Sequence, residues 1–395
     1  MDTRNMIKAS IVHLKIPMRR PFVHAKSVRH TAESIILMLQ RDSLCGMGEC
    51  IPRDYVTGET IESVMTLLQS VDLSYIFQLI SFDSLYHAVN SLSELHANSY
   101  GVYALTNNAR CIIEMALLDY IGHYFNTNIS SIIQQFYESI SPHREPKHIL
   151  TSQVCDLALP IHEFVKDRGP FHCIKIKLNN NLADNMHKIT YLRSTLPNTI
   201  PIIADVNMAW SMDEVLEQAA ALKPYDITYY EEPLKKGSWD DYQQLKSRYH
   251  VPIMLDESIC TMADAKKAVA SHACDAFNIR VPKCGGIINT MAIIQFAKQH
   301  GIAFQLGTQV AETGPLILLE RQLAGAIQGY FTYEAGQHDR YFDDYIISPM
   351  PIIDRQLNIA PIIHGRGLGA VMTPHYEKYV NKKIIWENKR WTVCK

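Results

Sequence analysis

The stretch Phe171-His-Cys-Ile-Lys-Ile-Lys-Leu178 decides the fold, because it is a strand-like apolar run that ends in the lysine pair Lys175 and Lys177. Four later runs of the same kind also carry charged residues at their ends, and these ends follow one another at intervals of about 26 residues, the length of one βα unit. The four runs are Ile203-Ala-Asp205, Tyr230-Glu231-Glu232, Met254-Leu-Asp256 and Ala276-Phe-Asn-Ile-Arg-Val-Pro-Lys283. The order lysine, acid, acid, acid, lysine predicts one catalytic constellation on a repeating scaffold.

Helix-compatible segments separate these runs. Ser211 is the predicted N-cap of a helix that reaches Leu222, with Glu214 at the capping-box position, and Thr261 opens the next helix in the same way. A further interval of the same length reaches Gln309. Strands that alternate with helices form a parallel sheet, and a doubly wound open sheet would not gather five strand ends around one point. We therefore predict an α/β barrel with its site at the carboxyl ends of the strands.

The first 130 residues have a different pattern. They begin with an extended run at Lys8-Ala-Ser-Ile-Val-His-Leu-Lys15, continue with a hairpin-like pair around Arg41-Asp-Ser-Leu-Cys-Gly46, and then become helical, most clearly over residues 108–122. This pattern predicts an α+β lobe over residues 1–130, followed by the barrel over 131–370. A lobe in this position can cover the open face of a barrel.

Composition excludes several classes of partner. The chain has 395 residues, 47% hydrophobic and 20% charged, and a formal net charge of -2, which gives no electrostatic basis for binding nucleic acid or an anionic membrane. No apolar stretch reaches the roughly 20 residues of a membrane span, and Met1 to Lys8 lacks the apolar core of a secretory signal. Nine scattered cysteines without a CxxC pair fit a reducing compartment. We expect a cytoplasmic protein.

The lysine pair predicts a base. Residues two apart in a strand point the same way, so Lys175 and Lys177 share one face, and the apolar residues Ile174, Ile176 and Leu178 indicate a buried strand, not one with solvated lysines. Two neighbouring ammonium groups repel each other, which is expected to lower the pKa of one of them toward neutrality.

The acids predict a metal. Asp205, Glu231 and Asp256 form the oxygen-only ligand set that Mg²⁺ prefers, with Mn²⁺ as a substitute, and no HExxH or cysteine and histidine cluster competes for zinc. A single acid at a strand end is usually a cap or an ion-pair partner, but three in phase with one period favour a shared site. From a regular strand only one acid of each adjacent pair, Glu231 or Glu232 and Asp256 or Glu257, can point inward, and the outward member is expected to orient a ligand or a lysine.

These residues resemble the enolase superfamily in its muconate lactonizing enzyme subgroup, and most nearly its dipeptide epimerases and N-acylamino acid racemases. The resemblance extends from about residue 8 to about residue 370. It rests on the K-x-K of Lys175 and Lys177, Asp205-Val-Asn207, Glu231-Glu-Pro233, Leu255-Asp-Glu-Ser258, Lys283-Cys-Gly-Gly286, Gly365-Arg-Gly-Leu-Gly369, a lid loop over 48–59 and a helix with Glu114-Met-Ala-Leu-Leu-Asp119.

The resemblance implies a (β/α)7β barrel lacking one helix, with residues 371–395 returning to the N-terminal capping domain. It implies a homo-oligomer, and Mg²⁺ on Asp205, Glu231 and Asp256 that binds a substrate carboxylate. Lys177 and Lys283 would lie on opposite faces of the substrate α-carbon and act through an enediolate, with support from Lys175, Asn207, Glu232, Glu257 and Glu312.

Two lysines on opposite faces predict a racemase or epimerase acting on an amino-acid derivative such as a dipeptide or an N-acylamino acid. The same first step serves cycloisomerases of the muconate type and dehydratases like o-succinylbenzoate synthase. A catalytically silent barrel used as a binding module is the alternative from another class, but it predicts loss of a ligand or lysine, and all five are present.

The substrate side departs from the pattern of dipeptide epimerases. The lid stretch over 21–34 is similar to theirs, but their Asp-x-Asp after the eighth strand is replaced by Thr332-Tyr-Glu334, and the following Asp-rich and aromatic insertion to Asp344 indicates a different or larger substrate. Glu334 is expected to serve either as scaffold or as partner of a substrate cation, and Glu312 to join a proton network or to contact substrate. The candidate pocket residues are His24, Arg29, Tyr55, Gln309, Glu334 and His338.

Overall fold

A computed structural model describes residues 7–98, 103–140, 148–387 and 389–394. In this structure an antiparallel sheet at the start of the chain is completed by strands from the end of the chain. Its strands are β1 (Lys8–His24), β2 (Ser27–Arg41), β3 (Leu44–Cys50), β15 (Val380–Glu387) and β16 (Arg390–Val393). The strand order is β16-β15-β1-β2-β3, and Ala9 pairs with Trp386 while Lys8 pairs with Gln40. Residues 1–6, on which the prediction about a secretory signal mainly rests, lie outside the described residues.

Six helices follow this hairpin-rich segment, and the longest packs directly on β3. A Cβ added at Gly48 would lie 2.2 Å from the carbonyl oxygen of Ile112, so only glycine lets helix and strand approach this closely. The predicted helix over 108–122 is present and buried on nearly every side. The helices are α1 (Asp54–Thr57), α2 (Ile61–Gln69), α3 (Leu73–Gln78), α4 (Leu85–Ala97), α5 (Asn107–Tyr124) and α6 (Ile129–Phe136).

The second part of the chain forms a seven-stranded parallel sheet whose strands lie in sequence order. The register places the ends of neighbouring strands side by side, since Lys177 pairs with Asp205 and Asp205 with Glu231. The strands are β5 (Gln153–Cys155), β6 (Ile174–Lys177), β7 (Ile202–Asp205), β8 (Tyr229–Glu231), β9 (Ile253–Leu255), β10 (Ala276–Ile279) and β11 (Ala303–Leu306).

Tyr333 closes this sheet into a barrel. It forms parallel bridges with Leu306 at the end of β11 and with Thr151 beside β5, so the segment around it occupies the eighth position. The backbone N–H of Ser152 donates to the carbonyl of Tyr333 at 2.8 Å. The predicted fold class, a (β/α)7β barrel with an α+β cap, is confirmed, whereas the boundary between residues 130 and 131 stays a prediction.

Helices follow the barrel strands, and their predicted caps are present. Ser211 and Glu214 form a reciprocal capping box, and the side chain of Thr261 accepts the N–H of Asp264. The barrel helices are α7 (Ile161–Arg168), α8 (Leu182–Thr195), α9 (Met212–Leu222), α10 (Trp239–Ser247), α11 (Met262–Ala270), α12 (Val281–Cys284), α13 (Ile287–Gln299) and α14 (Pro315–Ala326). Short two-residue ladders pair β12 (Ile347–Ser348) with β14 (Val371–Met372) and β13 (Ile359–Ala360) with β4 (Ile149–Leu150). Across the described ranges, no helix is both long enough and apolar enough to cross a bilayer.

One boundary in the sequence prediction was wrong. The run from Ala276 was expected to remain a strand as far as Lys283, but the strand ends at Ile279 and Lys283 lies in the short helix α12. Pro282 explains the difference, because proline lacks the N–H that a strand needs and is well suited to the first turn of a helix. Lys283 therefore lies about one turn beyond its strand end.

Buried acids join the cap to the barrel. Glu49 on β3 accepts the backbone N–H groups of Thr313 (2.8 Å) and Leu316 (2.9 Å) at the start of α14. Asp119 on α5 accepts the N–H of Met47 (2.8 Å) and the N–H of Leu368 (2.7 Å). These bonds fix the position of the cap over the mouth of the barrel.

The Asp-rich segment after the eighth position also joins parts of the chain. Asp343 pairs with Arg19 on β1 at 2.6 Å, and Asp339 pairs with Arg355. Asp344 accepts the hydroxyl of Tyr379 at 2.7 Å. These aspartates therefore hold the insertion against β1 and the C-terminal segment.

Candidate active site

A cavity lies at the carboxyl ends of the barrel strands, beneath residues of the cap. Its acids and lysines come from the barrel, and its remaining wall comes partly from β1 and the loop after β3. The lining residues are Phe22, His24, Arg53, Tyr55, Val154, Lys175, Lys177, Asp205, Asn207, Asp256, Glu257, Asn278, Arg280, Thr308, Gln309, Val310, Ala311, Glu312, Glu334, Gly336, Gln337, His338 and Tyr341.

Lys175 and Lys177 both face this cavity, as the two-residue period predicts, and they share one carboxylate. The Nζ atoms of Lys175 and Lys177 lie 3.0 Å and 2.5 Å from Oδ2 of Asp205. Lys175 also lies 2.7 Å from both Glu231 and Glu334. Although burial lowers the pKa of Lys175, these three acids raise it well above its ordinary value overall. The expectation that repulsion lowers the pKa of one lysine is wrong for Lys175, because the acids outweigh its lysine neighbour.

The three predicted metal ligands lie at the ends of β7, β8 and directly after β9. Oε1 of Glu231 accepts hydrogen bonds from Lys175 and from Asn278 (2.8 Å), while its buried Oε2 has no partner among the described residues. The carboxylate of Asp256 pairs with both Arg280 and Lys283. Arg280 and Lys283 hold the pKa of Asp256 well below its usual range, against the effect of burial.

These carboxylates are compatible with a hard cation by their chemistry. The set is all oxygen, belongs to three neighbouring strands, and includes the unpaired buried oxygen of Glu231. Within the described part of the chain no three histidine, cysteine or acidic side chains converge closely enough to hold a metal ion. Lys175 pairs with Asp205 and Glu231, and Arg280 pairs with Asp256. A cation would compete with these two side chains for the acids.

Asn207 and Glu257 link Lys177 to the far wall of the cavity. The side-chain oxygen of Asn207 accepts from Lys177 at 2.7 Å, and its amide nitrogen donates to Oε1 of Glu257 at 3.1 Å. Burial, with the nearby charge of Asp256, raises the pKa of Glu257 to about 8. Asp256 and Glu257 were not expected to point inward together, but both line the cavity, because β9 ends at Leu255 and both residues lie beyond the regular strand.

Glu232 lies behind the acids, as expected, and fixes the turn that carries Asp256. Its Oε2 accepts the backbone N–H groups of Asp256 (2.7 Å) and Ser258 (3.1 Å), and its Oε1 accepts the hydroxyls of Tyr242 and Ser258. Burial raises the pKa of Glu232, although these hydrogen bonds act in the opposite direction. Its backbone has a φ of 38°, a left-handed conformation that costs energy for a residue other than glycine.

Lys283 lies across the barrel from Lys177. Three strands separate β6 from β10 on one side (β7, β8 and β9), and β11, the Tyr333 segment and β5 separate them on the other, so the two strands face each other. The Lys283 side chain is fully buried outside the cavity lining, and its Nζ donates to the carbonyl oxygens of Asp256 (2.5 Å) and Asn278 (2.7 Å). Asp256 raises the pKa of Lys283 despite the opposing effect of burial.

The structure brings most predicted substrate residues to the cavity, but not all. His24, Tyr55, Gln309, Glu334 and His338 line it, together with Glu312. Arg29 does not line it, although it lies close enough to His24 and Arg53 for its charge to lower the pKa of each. Burial lowers the pKa of His24 to about 3 and that of His338 to about 4, so both rings are neutral at pH 7.

Glu334 and Glu312 are already engaged by backbone groups. Glu334 accepts from Lys175 and from the N–H of Thr308 at 2.8 Å, which supports its expected scaffold role. Glu312 accepts the N–H of Gln309, and burial beside Glu49 raises its pKa well above the ordinary value.

Sequence reasoning missed two arginines. Arg280 directly follows a buried apolar strand. A charged residue at that position could have been identified as a candidate site residue, because all the predicted acids were identified in the same way. Arg53 lies within the quoted lid loop, but nothing in the sequence shows that its side chain enters the cavity. Its contact with the carbonyl of Val310 joins residues that are far apart in the chain, and the sequence alone does not reveal it.

Comparison with models of protein families identifies the family to which this chain belongs. Residues 6–133 match the model described as mandelate racemase / muconate lactonizing enzyme, N-terminal domain, and residues 156–376 match the enolase C-terminal domain-like model. The chain belongs to the enolase superfamily. Within it, the paired matches place the chain in the mandelate racemase and muconate lactonizing enzyme family, as the resemblance predicted.

Individual relatives of this family are distant in sequence and close in fold. The N-succinyl-L-Arg/Lys racemase of Bacillus cereus is 26% identical over 311 residues, 77% of this chain and 80% of that protein. The D-Ala-D/L-Ala epimerase of Cytophaga hutchinsonii is 24% identical over 301 residues, 74% and 76% of the two chains. The crystal structure of the Bacillus cereus racemase superposes with a TM-score of 0.83 at 20% identity, covering 97% of this chain and all of the other. The chain is an isomerase of the enolase superfamily.

Proposed function

We propose that this enzyme is a Mg²⁺-dependent racemase or epimerase that moves the α-proton of an amino-acid derivative with a free carboxylate. One observation carries the proposal: Lys177 and Lys283 come from opposite sides of one barrel, and Asp205, Glu231 and Asp256 occupy the three strand ends between them. The relatives are named as racemases and epimerases of dipeptides and N-succinyl amino acids.

Each lysine has a separate task in this proposal. Lys177, held by Asp205 and Asn207, removes the α-proton from one face of the substrate, and Lys283 returns a proton to the other face. For substrate of the opposite hand the roles exchange. Asp205, Glu231 and Asp256 would hold Mg²⁺, which when bound offsets the negative charge that develops on the substrate carboxylate.

Lys175 and Glu232 support this arrangement without touching substrate. Lys175 spreads its charge over Asp205, Glu231 and Glu334 and so reduces the repulsion among them. Glu232 fixes the backbone at Asp256 through two N–H groups. Both are positioning residues in this proposal.

Exchange of the α-proton tests the first step. Wild-type enzyme with Mg²⁺ in D₂O should exchange the α-proton of at least one member of a library of dipeptides and N-acylamino acids, detected by NMR. Lys177→Ala and Lys283→Ala should abolish racemisation, whereas Lys267→Ala, at an exposed helix position, should not. A failure of the wild-type enzyme to exchange any α-proton across carboxylates, including lactones and betaines, would overturn the proposal.

Elimination is the second candidate, since the o-succinylbenzoate synthase of Bacillus subtilis is 23% identical over 385 residues, 96% of this chain and 98% of that protein. Both reactions begin with removal of the same proton. Loss of water lowers product mass by about 18 Da, whereas epimerisation leaves it unchanged, so mass spectrometry of the products distinguishes them.

A further inference from the structure

We infer that Arg53 is an anion anchor that selects substrates with a second carboxylate remote from the α-carbon. This inference rests on the proposed function and adds the chemistry of the distal group. Arg53 lies in the loop between β3 and α1, is only 6% exposed, and lines the cavity. It belongs to the cap, whereas every acid and lysine of the cavity belongs to the barrel.

Arg53 has no counter-ion in the part of the chain that the structure describes. Its Nη1 donates to the carbonyl of Pro52 at 3.1 Å and its Nη2 to the carbonyl of Val310 at 3.0 Å, both neutral acceptors. The other three buried cations that line the cavity differ, because Arg280 pairs with Asp256, Lys175 with three acids and Lys177 with Asp205. A buried charge without an opposite charge is costly, and a bound carboxylate would offset that cost.

The Arg53 guanidinium has N–H donors that these two contacts do not use. It carries five N–H groups in a planar fork, and the two contacts with carbonyl oxygens use one on each terminal nitrogen. Such a fork matches the two oxygens of a carboxylate. Burial, together with the charge of Arg29, lowers the pKa of Arg53 to about 9, and a bound anion would act in the opposite direction.

The distribution of charge assigns the anion to the cap side. The cap residues that line the cavity are Phe22, His24, Arg53 and Tyr55, which include one cation and no acid. His24 is neutral at pH 7, so Arg53 supplies the positive charge of this wall. A substrate held at its α-carboxylate by the barrel would extend its distal end toward this wall.

A distal ammonium group is poorly served in the same cavity. Glu334 is committed to Lys175 and the N–H of Thr308. Glu312 is held by the N–H of Gln309, and its raised pKa favours the uncharged acid. The geometry therefore favours an N-acylamino acid whose acyl chain ends in a carboxylate, and among dipeptides it favours those with an acidic second residue over those with a neutral one.

Pairs of substrates that differ mainly in the distal carboxylate test the anchor. N-succinylalanine and N-butyrylalanine differ mainly in the distal carboxylate, and Ala-Asp and Ala-Asn differ in the same way within a dipeptide, so the two pairs distinguish the possible sources of the anion. The wild-type enzyme should prefer the charged member of at least one pair in kcat/KM by about 10- to 100-fold. Arg53→Gln should bring that ratio close to one, chiefly through KM, and Arg53→Lys should retain part of it.

A purely structural role for Arg53 predicts another result. If Arg53 only latches the loop to Val310, then Arg53→Gln would lower kcat/KM for charged and neutral members alike, and Arg53→Lys would rescue neither selectively. That result, or a wild-type preference for the neutral members, would overturn the inference. Arg248→Gln, at an exposed position directly after α10, provides the matched control and should leave the ratio unchanged.

A binding measurement separates this inference from the proposed function. N-succinylalanine should raise the melting temperature of the wild-type protein more than N-butyrylalanine does, and this difference should disappear in Arg53→Gln. If the binding difference is present but no α-proton exchanges, the proposed function fails and the anchor stands. If exchange occurs and the binding difference is absent, the anchor fails and the proposed function stands.

Discussion

The ammonium nitrogen of Lys175 on β6 lies 2.7 Å from Oε1 of Glu231 on β8, across the end of the intervening strand β7. Lys175 thus neutralises acids that are also the proposed ligands of a divalent cation. A cation and this lysine compete for the same oxygens, and the competition has measurable consequences.

Addition of Mg²⁺ should stabilise the protein. At a concentration 100 times its dissociation constant, a ligand that binds only the folded state adds about 2.7 kcal/mol to the free energy of unfolding. Thermal unfolding with EDTA and with increasing Mg²⁺ measures this effect. Glu231→Gln should abolish it, whereas Glu217→Gln, at an exposed position on α9, should preserve it. An equal response of Glu231→Gln and wild type would argue against the ligand set.

Single lysine variants should lose racemisation but keep exchange with one enantiomer. Because Lys177 and Lys283 come from opposite sides of the barrel, each is expected to serve one face of the α-carbon. Incubation of each enantiomer in D₂O with Lys177→Ala or Lys283→Ala, followed by NMR, should show that the two variants exchange opposite enantiomers. Exchange of both enantiomers by one variant would show that a single base reaches both faces.

Replacement of Glu232 should weaken both stability and metal binding. In Glu232→Gln one carboxylate oxygen becomes an NH₂ group, which cannot accept from the N–H groups of Asp256 and Ser258 if it faces them. We expect a loss of about 1–3 kcal/mol in the free energy of unfolding, measured with urea. Mg²⁺ affinity should fall about 10- to 100-fold, because Asp256 loses its support. Glu217→Gln is again the control, and unchanged Mg²⁺ affinity in Glu232→Gln would refute a positioning role.

His24 should make the folded state sensitive to acid. Its pKa is about 3 in the folded protein and 6.5 ordinarily, so between these values the unfolded chain binds the extra proton and stability falls as pH falls. Relative to His24→Phe, the wild-type protein should lose up to about 1.4 kcal/mol per pH unit below pH 6.5, with the loss ending near pH 3. Urea titrations at several pH values measure the difference. A constant difference between the two proteins across this range would contradict the burial of a neutral ring.

The repeat of strand ends was sufficient to predict the barrel and to place Lys177, Asp205, Glu231 and Asp256 at or directly after the ends of its strands. That period is a local property, because each βα unit has its own caps and its own polar strand end. Lys283 was also predicted from this repeat, but the strand before it was predicted to be too long, although Pro282 indicated the start of a helix.

The remaining errors arose from contacts between distant parts of the chain. Repulsion between Lys175 and Lys177 was expected to lower the pKa of one of them, but acids from three other segments raise the pKa of Lys175. Glu257 is an exception with a local cause, since β9 ends at Leu255 and strand ends are the least certain part of a sequence prediction. The position of the Arg53 side chain depends on its contact with Val310, which lies more than 250 residues away in the sequence.

The central position of β1 in the cap sheet constrains how the chain matures. Its two neighbours are β2, which follows at once, and β15, which the ribosome makes only after all the barrel strands. Until β15 has been made, one long edge of β1 has no partner, and an unpaired strand edge promotes aggregation. A nascent chain is therefore most vulnerable during the interval in which its barrel is being made, and a chaperone that shields β1 would benefit folding most during that interval.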